Sequence, residues 1–370
     1  MSYIPRWKLR FTAPQIGFPA WSSRAPGLLA FVSNESGSWQ GWALDLESGR
    51  RRRLTDEPIG VEQVLVAPDG RIVWWQDLVG NERGRWMARA FEGDEPHPLV
   101  PGIPEGWPMG ISFAGDVIAL AVSTDADYQA YLVPPTASPV LLHASDGPVG
   151  VGRLDPMGAG GLSADGLLVC VRHTEHGDIL HHALRVHGAD GRVIDELVDE
   201  RSNLDPVAWS PMVGDSRLVF TSELGAFERP AIWDPTTGER RDLVVDLPGA
   251  VIPIGWWPDA TALLVRHEHH GRDQLYRLDP ETEETSLFAD TGGEIAEAAV
   301  RPDGEVWLLT SESRHQPRVL TADGDVIVDP PREPAPAGRP FHPLWFENLH
   351  GQRVQGSRSP RRGTDRGRRS

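Results

Sequence analysis

The chain has 370 residues, of which 39% are apolar and 24% charged, a balance typical of a globular protein and too apolar for a disordered one. Its 39 Gly and 33 Pro break it up too often for long helices, and no run approaches the roughly 18 apolar residues a membrane-crossing helix needs. Cys170 is the single cysteine, which excludes an intramolecular disulfide and a multi-cysteine metal site. The first ten residues lack the apolar stretch of a secretion signal, so the expected location is cytoplasmic, with no membrane partner. The net charge of −17 is unevenly spread: from Ser357 onward there are six Arg against one acid, so residues 1–356 carry −22. A body that acidic repels phosphates, which argues against a nucleic-acid partner.

After a lead-in over residues 1–19, one phrase recurs through residues 20–328. An apolar strand meets a Pro-Asp-Gly-like turn, and a second apolar strand, a polar loop and a third strand follow. An Asp-x-x-x-Gly-like turn then leads to a fourth. The clearest copies are Val61–Gly70 before Arg71–Trp75 and Ile295–Gly304 before Glu305–Thr310; looser ones begin at Val207, Ile254 and Leu162. Second strands are predicted near Leu28, Ile72, Val117, Leu167, Leu218, Leu263 and Val306, spaced 43 to 51 residues apart. A period in the forties with four short strands per unit predicts an all-β fold, a seven-bladed β-propeller of antiparallel blades. One such unit cannot bury both faces alone, whereas radial stacking buries each blade between two neighbours.

In such a blade the first-to-second and third-to-fourth turns share one face of the disc. The second-to-third loops and the links between blades share the other. Here the first set is short turn chemistry, including Asp45–Gly49 and Asp234–Gly238. The second set is longer and polar: residues 77–84, 173–177, 223–229, 267–272 and 312–315. Long polar loops on a rigid scaffold are where binding tends to reside. From them His173, His176, Glu223, Arg229, His267, Arg272 and Arg314 are taken as the side chains that face a substrate or partner. The histidines are read as solvated loop residues. Blades four and six are not neighbours, so no metal is expected between them, and no cofactor is expected. Trp21, Trp209, Trp256 and Trp307 are read as inter-blade packing, Trp107 as packing or the lining of an opening, and Cys170 as a buried, inert thiol.

A Pro- and Ala-rich linker, residues 329–340, is expected to be extended and stiff. Residues 341–356 read as two strands about a Leu-His-Gly turn, the opening of a second domain. Residues 357–370 contain no aliphatic or aromatic side chain and are expected to be disordered.

The blade phrases Leu54-Thr55 and Gln274–Asp279, the Pro-rich exit and the segment Phe346–Gly356 together resemble the prolyl oligopeptidase family of serine peptidases. Its acylaminoacyl-peptidase and dipeptidyl-aminopeptidase-like branches are included, and the resemblance spans roughly residues 10–356. It implies a propeller that precedes a catalytic α/β-hydrolase domain and restricts access to it, so that only short peptides arrive. No position here inherits the family's catalytic Ser, Asp or His. A nucleophile elbow needs Gly-x-Ser-x-Gly; the nearest strings, Gly110–Gly115 and Gly161–Gly166, have the wrong spacing and fall at blade turns. Glu283-Glu284 falls at a third-to-fourth-strand turn and is not assigned the amino-terminus-binding role of the family's glutamate pair.

The expectation is therefore a non-catalytic, substrate-gating propeller whose partners are a peptide substrate and a hydrolase domain, and whose basic tail is a frameshifted or otherwise aberrant end of a longer peptidase gene. The alternative for the tail is a genuine basic segment for an acidic partner. Two rivals stand beside the whole reading: a stand-alone protein-binding propeller of the Tol-system or WD-repeat kind, and a propeller lactonase or lyase with a central metal.

Overall fold

The computed structural model describes residues 4–93, 95–152, 160–313, 315–330 and 335–358. Seven four-stranded antiparallel sheets follow one another in chain order, each with its strands in sequential order. The second strands are Ala25–Ser33, Ile72–Asp77, Val117–Ser123, Leu168–His173, Leu218–Leu224, Leu263–His269 and Val306–Glu312. They start within three residues of the predicted positions. The expected turn chemistry is also present: Gly70 and Gly304 close their turns at φ of 82° and 87°, each donating its N–H to the carbonyl three residues back. A left-handed φ of that kind is nearly free only for glycine.

The core is divided into seven apolar clusters, one at each blade junction. Strand alternation produces this division. Leu263 and Val265 face blade 5, while Ala262 and Leu264 face blade 7; Leu218 and Phe220 face blade 4, while Val219 faces blade 6. A strand buried on both faces reads as a continuous apolar run, which is why the second strands were the legible ones. Trp21, Trp209, Trp256 and Trp307 are all buried at these junctions, as is Cys170, whose thiol pKa burial pushes up.

Among the described residues no strand is exchanged between the first and last blades, so the ring closes through side-chain packing and side-chain hydrogen bonds. The closing cluster joins Phe18, Trp21, Leu29 and Phe31 of blade 1 and its lead-in to Trp307, Leu309, Val319 and Val328 of blade 7. The lead-in contains a short helix, Arg6–Phe11. Among the described residues no helix is long and apolar enough to cross a membrane.

Beyond the ring, His342–Glu347 and Arg353–Arg358 form a separate antiparallel hairpin. Its turn is held by Asn348, whose side-chain oxygen accepts the N–H groups of His350 and Gln352 at 2.9 and 3.0 Å. The second strand runs past Gly356: Ser357 and Arg358, assigned to the basic tail from sequence, pair with Pro343 and His342. Backbone pairing is indifferent to the change of side chains there. Most of that tail, residues 359–370, and residues 331–334 of the linker lie outside the described residues.

Candidate functional site

Chain direction puts the second-to-third loops and the links between blades on one face of the ring, and both terminal segments lie against that face. The Arg10 guanidinium donates to Ser313 O at 2.6 Å and to Pro336 O at 3.1 Å, tying the lead-in helix to the blade 7 loop and the linker. Arg6 reaches Ala337 O at 3.4 Å. The hairpin is seated on the blade 6 loop: the Gln355 amide donates to His270 O, and the His270 ring stands edge-on to Trp345 with 4.7 Å between centroids.

Between the hairpin and blades 6 and 7 lies an open cleft of about 490 Å³. Its walls include His270, Arg272, Glu312, Ser313, Phe341, His342 and Gln355. Cationic, anionic and imidazole side chains line it together with Gly271, Gly292 and Gly293. Next in sequence to Arg272, the Asp273 carboxyl has its pKa raised by burial, while the Ile295 N–H donates to this carboxylate at 2.8 Å and lowers it. Burial lowers the His269 pKa, as do the neighbouring His270 and His267 rings. Such a cleft offers hydrogen-bonding and ion-pairing groups to an extended polar chain.

The residues singled out from sequence are not one constellation. Arg272 lies in the cleft, Glu223 is exposed near the end of the second strand of blade 5, and His176 is exposed on the blade 4 loop. Arg314 lies outside the described residues. Arg229 serves as a staple: its guanidinium donates to Leu247 O at 3.2 Å and also to Gly249 O, fixing the link between blades 5 and 6.

The reading of the histidines as solvated is corrected for two of them. His267 is buried, with Nε2 against Pro248 O and its ring beside His269 and Tyr276. His173 is 1% exposed, because it ends a strand whose side chain points into the blade 3 junction rather than into the loop. Trp107 is half-buried and donates its indole N–H to Asn81 O at 2.9 Å, bracing the blade 2 loop. The serines of the two near-motif strings have structural partners. Ser112 Oγ accepts the Leu162 N–H, and Ser163 Oγ donates to Asp165 in a blade turn.

Sequence reasoning missed a second group, at the junction of blades 3 and 4. His143, His173, His187, Glu175, Glu196 and Arg185 meet there from strands and a loop tens of residues apart. No local motif announces it. Among the described residues, no group of three or more His, Cys, Asp or Glu side chains is arranged to hold a metal ion.

Exposed apolar side chains occur on both faces, including Leu167, Met212 and Val213 on first-to-second turns, and one set lies on the loop face. Trp7 and Phe11 of the helix are 64% and 81% exposed. Leu78 and Val79, and Ile179 and Leu180, project from second-to-third loops of blades 2 and 4, Phe227 from the start of the third strand of blade 5, and Phe346 and Leu349 from the hairpin. These are carried by elements of the loop face.

Comparison with sequences finds no matching family model and no matching curated protein. Comparison with solved structures finds the fold repeatedly. A structure of puromycin hydrolase matches with a TM-score of 0.67 at 16% identity, over 99% of this chain and 61% of that one. A prolyl endopeptidase, from a study of inter-domain dynamics in catalysis and specificity, matches at 0.67 and 14% identity, over 95% and 53%. An oligogalacturonate lyase in complex with manganese matches at 0.59 and 14% identity, over 83% and 88%. The fold is shared with all three. The chain spans only 53% to 61% of the length of the first two proteins.

Proposed function

We propose that the chain is the substrate-gating propeller of a prolyl-oligopeptidase-type serine peptidase, its loop face turned toward a catalytic α/β-hydrolase domain. The observation that carries this reading is the seating of both terminal segments, with their exposed Trp7, Phe11, Phe346 and Leu349, against the loop face. The hairpin and lead-in helix lie on that same face, so the exit of the chain and the docking surface coincide. The likeness to puromycin hydrolase and prolyl endopeptidase supports the reading, because this chain aligns with little more than half of each. In this role the propeller contributes no reacting group. It excludes folded chains by the width of its opening and offers short peptides polar groups such as Arg272 and Glu312. A cytoplasmic location belongs to the same proposal.

The test is activity-based labelling of the native protein, captured from its source cells with antibodies to residues 341–356. A fluorophosphonate probe is expected to label either a polypeptide carrying this sequence or one that co-elutes with it. The capture should also cleave aminoacyl arylamides in a probe-sensitive way. No label and no cleavage would sink the proposal. A second reading, a stand-alone propeller lyase, is favoured by the mutual coverage of 83% and 88% with the oligogalacturonate lyase. It predicts manganese in the purified chain and an ultraviolet absorbance rise with oligogalacturonate.

A further inference from the structure

The six side chains at the junction of blades 3 and 4 fix one another's protonation. Arg185 Nη1 lies 3.3 Å from His143 Nδ1, and a guanidinium only donates, so Nδ1 accepts and the His143 proton is on Nε2. That nitrogen lies 3.0 Å from Glu175 Oε1. The backbone N–H of Glu175 donates to His173 Nδ1 at 3.4 Å, which leaves the His173 proton on Nε2, 3.2 Å from Glu196 Oε1. His187 has Nδ1 3.5 Å from Gly191 O, so its proton is there; among the described residues its buried Nε2 makes no hydrogen bond, and the Nε2 atoms of His143 and His173 are near their carboxylates without hydrogen-bond geometry. Arg185 completes the set, pairing with Glu175 at 2.7 Å and Glu196 at 3.1 Å.

A second proton has no suitable place. On His143 it would point at the Arg185 guanidinium; on His173 it would meet a backbone N–H, with the Glu175 carboxylate 3.8 Å away, beyond hydrogen-bond reach; and on His187 it would sit in a buried position without an acceptor. We infer that this junction is an acid-sensitive latch, closed only while His143, His173 and His187 each hold a single proton. His143 is the blade 3 half of the latch, carried by the outer strand Val140–Ser145, and the other five groups belong to blade 4. The remaining charges facing it are Asp127 and Asp146 of blade 3, which share an open cavity with Glu175, and His176, whose ring lies 6.3 Å from that of His173. These carboxylates favour protonation. Burial and Arg185 oppose it more strongly, lowering His143 and His187 and taking His173 to about 4. A histidine that is lowered in the fold adds stability above about pH 6.5 and loses it as the pH falls toward about 4. The inference is independent of the proposed peptidase role.

Hydrogen exchange of the full chain at pH 7.5 and pH 5.0, corrected for the intrinsic chemical rate, tests it. Segments 140–147 and 183–197 are expected to exchange at least about tenfold faster at pH 5.0 relative to the histidine-free segment 72–89, since each unit of pKa separation is tenfold in the opening equilibrium. His143→Gln keeps a neutral hydrogen-bonding side chain but cannot take the proton, and should reduce that acceleration. Equal acceleration in segment 72–89 would overturn the latch, as would full acceleration in a folded His143→Gln. If that variant does not fold, the wild-type C2–H resonances decide. Resonances of the three histidines that titrate together near pH 6.5 without local opening would also overturn it.

Discussion

Trp21 and Trp307 meet edge to face, 5.5 Å between ring centroids, across the junction where the last blade closes on the first. The buried Arg301 guanidinium lies 4.7 Å and 4.0 Å from the two ring centroids and donates to Pro26 O at 2.7 Å. Its Nε and Nη1 have no partner among the described residues, so the rings and one carbonyl carry most of the compensation for a desolvated charge. With no strand shared between blades 1 and 7 among the described residues, this contact is central to closure.

Trp21→Ala should therefore destabilise the chain by about 3–5 kcal/mol, the range for a buried Trp truncated in a core. Combining it with Arg301→Ala should cost less than the two single losses together, because each change removes the other's partner. Urea unfolding of the two single variants and the double variant measures this. Strict additivity would show that the rings and the guanidinium act independently.

A second expectation concerns the blade 4 loop. His181 Nδ1 lies 2.6 Å from Asp178 Oδ2, and the Leu180 N–H donates to the same carboxylate, so the pair shapes the turn that presents Ile179 and Leu180. The hydrogen bond to Asp178 raises the His181 pKa and lowers that of Asp178. The His181 contribution is thus complete below about pH 6.5 and fades as pH rises through its elevated value. The Asp178 contribution is present above its ordinary range and fades in acid. In a histidine C2–H titration His181 should titrate above 6.5 in the wild type and fall back toward 6.5 in Asp178→Asn.

The propeller was legible because its signal is repetitive and local. Pro-Asp-Gly turns such as Pro68–Gly70 and apolar runs such as Leu263–Val265 follow from one blade's own geometry, and seven copies reinforce each other. The site was far less legible. His173 stands in a polar loop phrase, yet strand alternation turns its side chain inward, and the partners that hold it come from another strand and another blade. Arg229 read as a binding cation because a sequence does not show which carbonyls a folded link will present to it. The hairpin strands were found, but not the seating of Gln355 on His270, which depends on the path of the whole linker.

That path supplies a third expectation. A Cβ added to Gly338 would fall 2.0 Å from Ser313 O and 2.6 Å from Arg10 Nη1. Gly338 is not in the left-handed region, so the obstacle is space rather than backbone conformation. Gly338→Ala should lift the linker from blade 7 and release Arg10. Trypsin should then cleave at Arg10 several-fold faster, while the thermal midpoint of the ring is unchanged. An unaltered cleavage rate would mean that the linker is held elsewhere.

The last expectation separates docking from folding on the exposed face. Trp7 and Phe11 touch each other, 6.5 Å between ring centroids, and remain mostly in water. Side chains that stay exposed contribute little to stability, so Trp7→Ser with Phe11→Ser should change unfolding by no more than about 0.5 kcal/mol. The same pair of changes removes apolar area from the surface proposed to meet the hydrolase domain. Binding of an apolar fluorescent dye should fall, and probe-labelled material co-eluting with the captured chain should fall with it. If dye binding and co-elution both persist, the contact surface lies elsewhere on the face, and the next residues to change are Phe346 and Leu349 of the hairpin. Their 50% and 103% exposure makes them similarly dispensable for the ring.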